Sequence, residues 1–199
     1  MGTGICLVPQ RNPIYTAKMV ADLDYLSGGR VEFGVGIGWL KEEFVNLGMD
    51  FKNRAARCAE YFEVMKELWS PEVSEYRGET VDLRPCHFNP KPTQKPHPPI
   101  YFGGESDAAL DRVATFGDGW YAYDISPEEL ALRLDSLDSK MQQTGRSLDQ
   151  IELIVGPNRH PVNEMTIEQS SSLGVTQLVV TLYGSGLAKI EQRAAQFLS

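Results

Sequence analysis

Basic residues are in short supply in this 199-residue chain: 19 Lys and Arg stand against 27 Asp and Glu, a formal net charge of -8. That balance argues against nucleic-acid and membrane partners, both of which need a basic footprint. An anionic ligand would need a local positive site. Cysteine is scarce as well. Cys6, Cys58 and Cys86 are odd in number and form no C-x-x-C pair, so neither a disulfide framework nor a metal site is expected. Apolar runs such as 177–182 fall far short of the roughly 20 residues that a membrane-spanning helix requires. The N-terminus has no basic-then-apolar leader, and a cytoplasmic location is expected. Of the three histidines, His87 and His97 lie in a proline-rich stretch and His160 follows an apolar run. None has a Ser, Cys or metal-ligand partner at a recognisable spacing, so no triad or metallohydrolase is indicated.

What is present is an ordinary globular composition, 42% hydrophobic and 23% charged, read as one domain over 1–199. Apolar runs of strand length at 2–8, 31–37, 99–103, 119–122, 150–155 and 177–182 alternate with amphipathic stretches, the signal for a parallel α/β sheet. Helical spacing joins Ala55, Ala59, Phe62, Met65 and Trp69, and likewise Leu130, Leu134, Leu137 and Met141. Pro13 opens a helix that Gly28-Gly29 closes. Ser126 reads as an N-cap, and Thr166 with Gln169 as a capping box. One connection breaks the alternation. At about 70–99, Tyr76-Arg77-Gly78-Glu79-Thr80-Val81 suggests a β-hairpin, followed by a proline-rich insertion that topology assigns to the N-terminal face of a barrel. Six β/α pairs are two short of a closed eight-stranded barrel. A doubly wound open sheet is the alternative, although the first βα turn, Val8 to Pro13, lacks the G-x-G-x-x-G of a dinucleotide fold.

Three stretches have chemistry to offer. Gly103-Gly104-Glu105-Ser106 runs from a strand into a helix, the geometry of a phosphate cradle: glycines admit an anion to backbone N–H groups, and the helix N-terminus adds positive potential. The same residues also read as a tight turn with Ser106 as a plain N-cap. Gly34-Val35-Gly36-Ile37-Gly38-Trp39 leaves one face of a strand bare, for the approach either of a ligand or of another backbone. Arg54, at a helix start, is suited to a bidentate phosphate contact or to an ion pair with Glu42, Glu43 or Asp50. Trp39, Trp120, Tyr121 and Tyr123 could wall a pocket for a planar ring, with Trp120 read rather as core. No catalytic residue is assigned; Glu42 and Glu43 are the nearest candidates for a mouth-facing carboxylate, against a solvated helix face.

Leu23-Asp24-Tyr25-Leu26-Ser27-Gly28-Gly29-Arg30, then GVGIGW, Glu42-Glu43-Phe44, Leu47-Gly48, Phe51 and Arg54, and later GGES, Gly117-Asp118-Gly119-Trp120 and Leu173-Gly174-Val175, resemble the luciferase-like monooxygenase family in order and spacing. Within it the combination most resembles F420-dependent oxidoreductases; other members use reduced FMN with dioxygen. The resemblance implies a (β/α)8 TIM barrel that here lacks its first two β/α units. It also implies a coenzyme F420 site, or alternatively an FMN site, with a small organic substrate and a homodimer. Carried over by position, Gly103, Gly104, Glu105 and Ser106 match the phosphate loop, and Arg54 matches an arginine that helps neutralise the phosphate. Ile37, Gly38 and Trp39 match cofactor-contacting backbone, and Gly4-Ile5 matches a non-prolyl cis peptide under the ring. A non-catalytic flavin-binding protein and a sugar-phosphate-binding barrel are further alternatives.

Overall fold

Each of the six apolar runs overlaps a strand in the computed structural model, which describes residues 1–182 and 184–196, although the last strand is Val175–Leu178 rather than the expected 177–182. The fold is α/β, with six parallel strands and intervening helices. The chain divides into two compact units, one made of Met1–Gly103 with Phe116–Gly119, the other of Gly104–Thr115 with the residues from Trp120 onward.

In the first unit, β1 (Cys6–Leu7) pairs in parallel with β2 (Phe33–Gly36), Cys6 opposite Val35. This strand is shorter than the expected 2–8: ahead of it only an isolated bridge, Gly2 to Glu32, continues the pairing. Between them, Thr3 donates its hydroxyl to the Gly34 carbonyl at 2.6 Å, and the Gly4–Ile5 peptide is cis. Helix α1 (Pro13–Ser27) starts as its sequence dictates, with Pro13 at N1 and the Asn12 carboxamide accepting from the amides of Ile14 and Tyr15. It stops at Gly28, whose φ of 68° is the left-handed conformation that only glycine adopts cheaply.

After β2 come α2 (Lys41–Asn46) and α3 (Arg54–Trp69). Helix α3 buries Phe62, Met65, Leu68 and Trp69, whereas Ala55, assigned by spacing to the same face, is exposed. In the first turn of this helix it is Arg57, not Ala55, that turns inward, so the apolar periodicity overreaches there. Phe62 lies 5.0 Å from Phe102 and Phe33 meets Trp69 edge-on at 6.3 Å, while the Trp69 indole donates to the Ala17 carbonyl at 3.0 Å. Each such ring contributes roughly 1.5–3 kcal/mol by burial. The expected hairpin is present as β3 (Val73–Arg77) antiparallel to β4 (Asp82–His87). Its tip folds over Glu60, whose carboxylate accepts from the Thr80 amide and hydroxyl and from the Val81 amide. The proline-rich stretch is anchored at Asp24, fully buried, whose carboxylate accepts from Gln94 at 2.9 and 2.7 Å. It leads into β5 (Ile100–Gly103), parallel to β2 with Val35 opposite Phe102.

The second unit holds α4 (Asp107–Phe116) up to Thr115, then β6 (Gly119–Tyr123) from Trp120, α5 (Pro127–Gln143), β7 (Glu152–Gly156), α6 (Glu164–Ser172), β8 (Val175–Leu178) and α7 (Leu187–Ala195). Strand β7 pairs in parallel with β8. Ser126 caps α5 in a full capping box with Glu129, and Leu130, Leu134, Leu137 and Met141 form its buried face as their spacing predicts. Helix α6 corrects the reading. Its N-cap is Asn163, and Thr166 is the N3 partner that returns a hydroxyl to the Asn163 amide at 3.0 Å. A threonine replaces the usual Glu or Gln in the return position, so the box begins three residues earlier than Thr166 with Gln169 suggested.

Candidate cofactor site

Within the first unit the residues of interest are Gly4 and Ile5 just ahead of β1, Ile37 to Trp39 just after β2, and Arg54 at the start of α3. The bare face of the G-x-G-x-G strand is filled by the protein itself. A Cβ on Gly34 would sit 1.9 Å from the Thr3 carbonyl oxygen, and one on Gly36 would sit 2.3 Å from Ile5 Cδ1. The same Ile5 methyl lies 3.1 Å from a Cβ built on Gly103. These three glycines therefore make room for Thr3 and Ile5, the packing alternative rather than ligand approach. Gly38 differs: its φ is 77°, and its carbonyl accepts from Arg54 Nε at 3.1 Å.

Arg54 begins α3, and its Nη1 donates to the Phe51 carbonyl at 3.0 Å while the guanidinium stacks on the Phe51 ring at 3.8 Å. No ion pair to Glu42, Glu43 or Asp50 is formed among the described residues. The charge is held in place by two neutral carbonyls and a π face, which orient it without neutralising it. Trp39 is 82% exposed. Glu42 and Glu43 lie exposed on α2, as the solvated-face reading has it, and Glu43 accepts from Gln10 Nε2 at 3.0 Å.

The second unit contributes the turn that follows β5. Gly104 has a φ of 106°, and its carbonyl accepts the Trp120 indole N–H at 2.9 Å. Trp120 is fully buried, so it serves as core and as tether at once. Glu105 turns its carboxylate to the end of β6, where it accepts the Tyr123 amide at 2.8 Å. Ser106 Oγ accepts from the Ala109 amide at 3.2 Å, the N-cap geometry, which leaves its hydroxyl proton to donate elsewhere. The amides of Gly104, Glu105 and Ser106 have no hydrogen-bond acceptor among the described residues. Three successive N–H groups without an acceptor among the described residues thus precede a ten-residue helix, whose N-terminus carries positive potential.

The sequence reading missed a charged cluster on the neighbouring loops of this unit. Asp124, with a φ of 60°, accepts Arg159 Nε at 2.8 Å, the Arg159 amide at 3.2 Å and Asn158 Nδ2 at 3.3 Å. The Arg159 guanidinium beside it holds the Asp124 carboxyl down at about 2. His160 Nε2 lies 3.3 Å from the Asp124 carbonyl and 3.8 Å from the Glu129 carboxylate. Glu105, Tyr123, Asp124, Leu132 and Arg133 line a groove of about 560 Å³. The available signal was an Asp and an Asn-Arg-His run immediately following two strand patterns, the positions where barrels place ligands. Among the described residues, no group of three His, Cys, Asp or Glu side chains is placed to hold a metal ion. Among the described residues no helix is long and apolar enough to cross a membrane.

Six parallel strands with intervening helices define the class of fold as β/α-barrel. Residues 1–168 match the luciferase-like monooxygenase family, and the chain belongs to that family. An uncharacterized protein of Mycobacterium tuberculosis is 34% identical over 182 residues, 90% of this chain and 62% of its own. The FMNH2-dependent dimethylsulfone monooxygenase of Pseudomonas putida is 27% identical over 165 residues, 81% of this chain and 44% of its own. The coenzyme F420-dependent tetrahydromethanopterin reductase of Methanopyrus kandleri superimposes with a TM-score of 0.68 at 25% identity, over 78% of this chain and 48% of its own. The chain thus spans between two fifths and two thirds of the length of these relatives. The family holds both F420- and FMN-dependent proteins, and its fold is the TIM barrel of the luciferase-like enzymes.

Proposed function

We propose that this protein is an oxidoreductase that transfers hydride between coenzyme F420 and a small organic substrate. The observation that carries the reading is the row of free amides at Gly104, Glu105 and Ser106, which fits the phosphate of such a cofactor. The Ser106 hydroxyl adds a donor, and Arg54 adds an oriented cation that the family resemblance assigns to the same cofactor. Ile37, Gly38 and Trp39 supply cofactor-contacting backbone in this reading, with Gly4 and Ile5 beneath the ring. When bound, the deazaflavin supplies the redox chemistry; the chain's own residues bind it, orient it and exclude water. The reading extends to a cytoplasmic location and a homodimer. Tyr15, Met19 and Leu26, exposed on α1, support the second.

A second reading, an FMN-dependent monooxygenase that uses dioxygen, is favoured by the similarity to the dimethylsulfone monooxygenase of Pseudomonas putida. The two part under a single assay. The protein is incubated separately with reduced F420 and reduced FMN, and cofactor oxidation is followed with candidate substrates present. Substrate-dependent oxidation of F420 is the expected result; turnover with FMN and oxygen alone would overturn it.

A further inference from the structure

We infer that Glu105 is a positioning residue: its carboxylate, by accepting the Tyr123 amide, holds the Gly104–Ser106 backbone in the shape that presents free N–H groups, and does not itself touch the anion. The inference rests on the phosphate reading of this turn and explains an otherwise contrary feature of it. A carboxylate inside a phosphate loop repels its ligand, since like charges a few ångströms apart disfavour one another. In the structure that charge is spent elsewhere, with Oε1 of Glu105 2.8 Å from the Tyr123 nitrogen. Tyr123 is the last residue of β6, and the next amide, that of Asp124, donates to the Gly156 carbonyl at 2.6 Å. Glu105 is therefore tied to a strand end that is itself fixed.

Two further bonds act on the same turn. The buried Trp120 indole draws the Gly104 carbonyl inward at 2.9 Å, and Ser106 Oγ takes the Ala109 amide at 3.2 Å. With the Gly104 carbonyl and the Ser106 side chain held, the N–H groups of Gly104, Glu105 and Ser106 have no acceptor among the described residues. Preformed donors of this kind bind an anion without first having to be ordered. The residue thus contributes its backbone N–H to the ligand and its side chain to the loop.

The test compares wild type with Glu105→Gln and Glu105→Ala. Each is titrated by calorimetry with F420 and FMN, and with their phosphate-free parents, the deazariboflavin and riboflavin. Glutamine keeps an acceptor oxygen and removes the charge, so Glu105→Gln binds the phosphorylated cofactor as tightly as wild type or more tightly. Alanine removes the tether, and affinity for the phosphorylated cofactor falls about 10-fold or more, the scale of one charge-assisted hydrogen bond. Affinity for the phosphate-free parent is unchanged in both. Rescue by glutamine and selectivity for the phosphate are signatures that a general loss of stability does not produce. Glu105→Gln is isosteric, and should Glu105→Ala fail to fold, a 10-fold or greater weakening in the glutamine variant alone overturns the inference. Equal binding by alanine and wild type overturns it too. If wild type itself fails to distinguish phosphorylated from phosphate-free ligand, the phosphate reading falls with it; if wild type distinguishes them, only the role of Glu105 is lost.

Discussion

The Gly38–Arg54 corner of the first unit and the Gly104–Ser106 turn of the second are both suited to an anion, and they are built on opposite principles. The first offers a full side-chain charge, fixed by the Gly38 and Phe51 carbonyls and the Phe51 ring. The second offers only backbone dipoles, fixed by the Trp120 indole and by a carboxylate that carries the wrong sign for the ligand. Glycine also plays two parts. Gly34 and Gly36 are small because Thr3 and Ile5 occupy the space, whereas Gly104 is glycine because of its backbone angle. A glycine-rich stretch therefore has one meaning when its missing Cβ is filled by the protein and another when its φ is positive.

The largest effect that breaks this comparison is expected at Gly34. Its added Cβ would meet backbone rather than a flexible side chain, at 1.9 Å from the Thr3 carbonyl. Gly34→Ala should lower stability by about 3 kcal/mol, at the upper end of the usual cost of overpacking, read as a drop in the urea midpoint with unchanged slope. Gly104→Ala should cost less in stability, about 1–3 kcal/mol for the positive φ, and more in cofactor affinity. Equal stability losses with no change in binding would merge the two kinds of glycine.

Next comes Arg54. Arg54→Ala should weaken the phosphorylated cofactor by about 10- to 100-fold, the range of a charged hydrogen bond, with unfolding little affected because the group is held at the surface of the helix start. Arg54→Lys should recover only part of this, since an ammonium does not present the guanidinium fork that spans carbonyl and phosphate together. Full recovery by lysine would show that point charge suffices. The smallest effect sharpens the second region. The Asp124 carboxyl is held near 2 in the folded protein, below its ordinary 3.8. Its tie to Arg159 is thus fully present above about pH 4 and is lost as the pH falls through 2. Protection of the Asn158, Arg159 and His160 amides, measured against intrinsic exchange at each pH, should fall over that window alone, and Arg159→Gln should remove the step.

The fold was legible where local chemistry and period agreed. Pro13, Gly28 and the Ser126 box delimit helices as read, and the spacing of Leu130 to Met141 found a buried face, because each signal is local to its own turn. The failures are physical too. Threonine suits the N-cap place that Asn163 holds, so Thr166 reads as the cap rather than its N3 partner, and the apolar spacing counts Ala55 while the inward place in that turn goes to Arg57. The candidate site was legible as residue types and not as roles. Sequence distinguishes neither the packing glycine of Gly36 from an open one nor a carboxylate at Glu105 that faces a ligand from one that faces the Tyr123 amide. Asp124 and Arg159 were invisible because the two are 35 residues apart and meet only through the topology of adjacent strands.

The most direct test of the central claim, that the Gly104–Ser106 amides take the cofactor's phosphate, is a calorimetric comparison in wild-type protein of F420 and FMN with their phosphate-free parents. The preferred cofactor should bind at least about 30-fold more tightly than its phosphate-free parent, roughly 2 kcal/mol. Equal affinity with and without the phosphate would contradict the account.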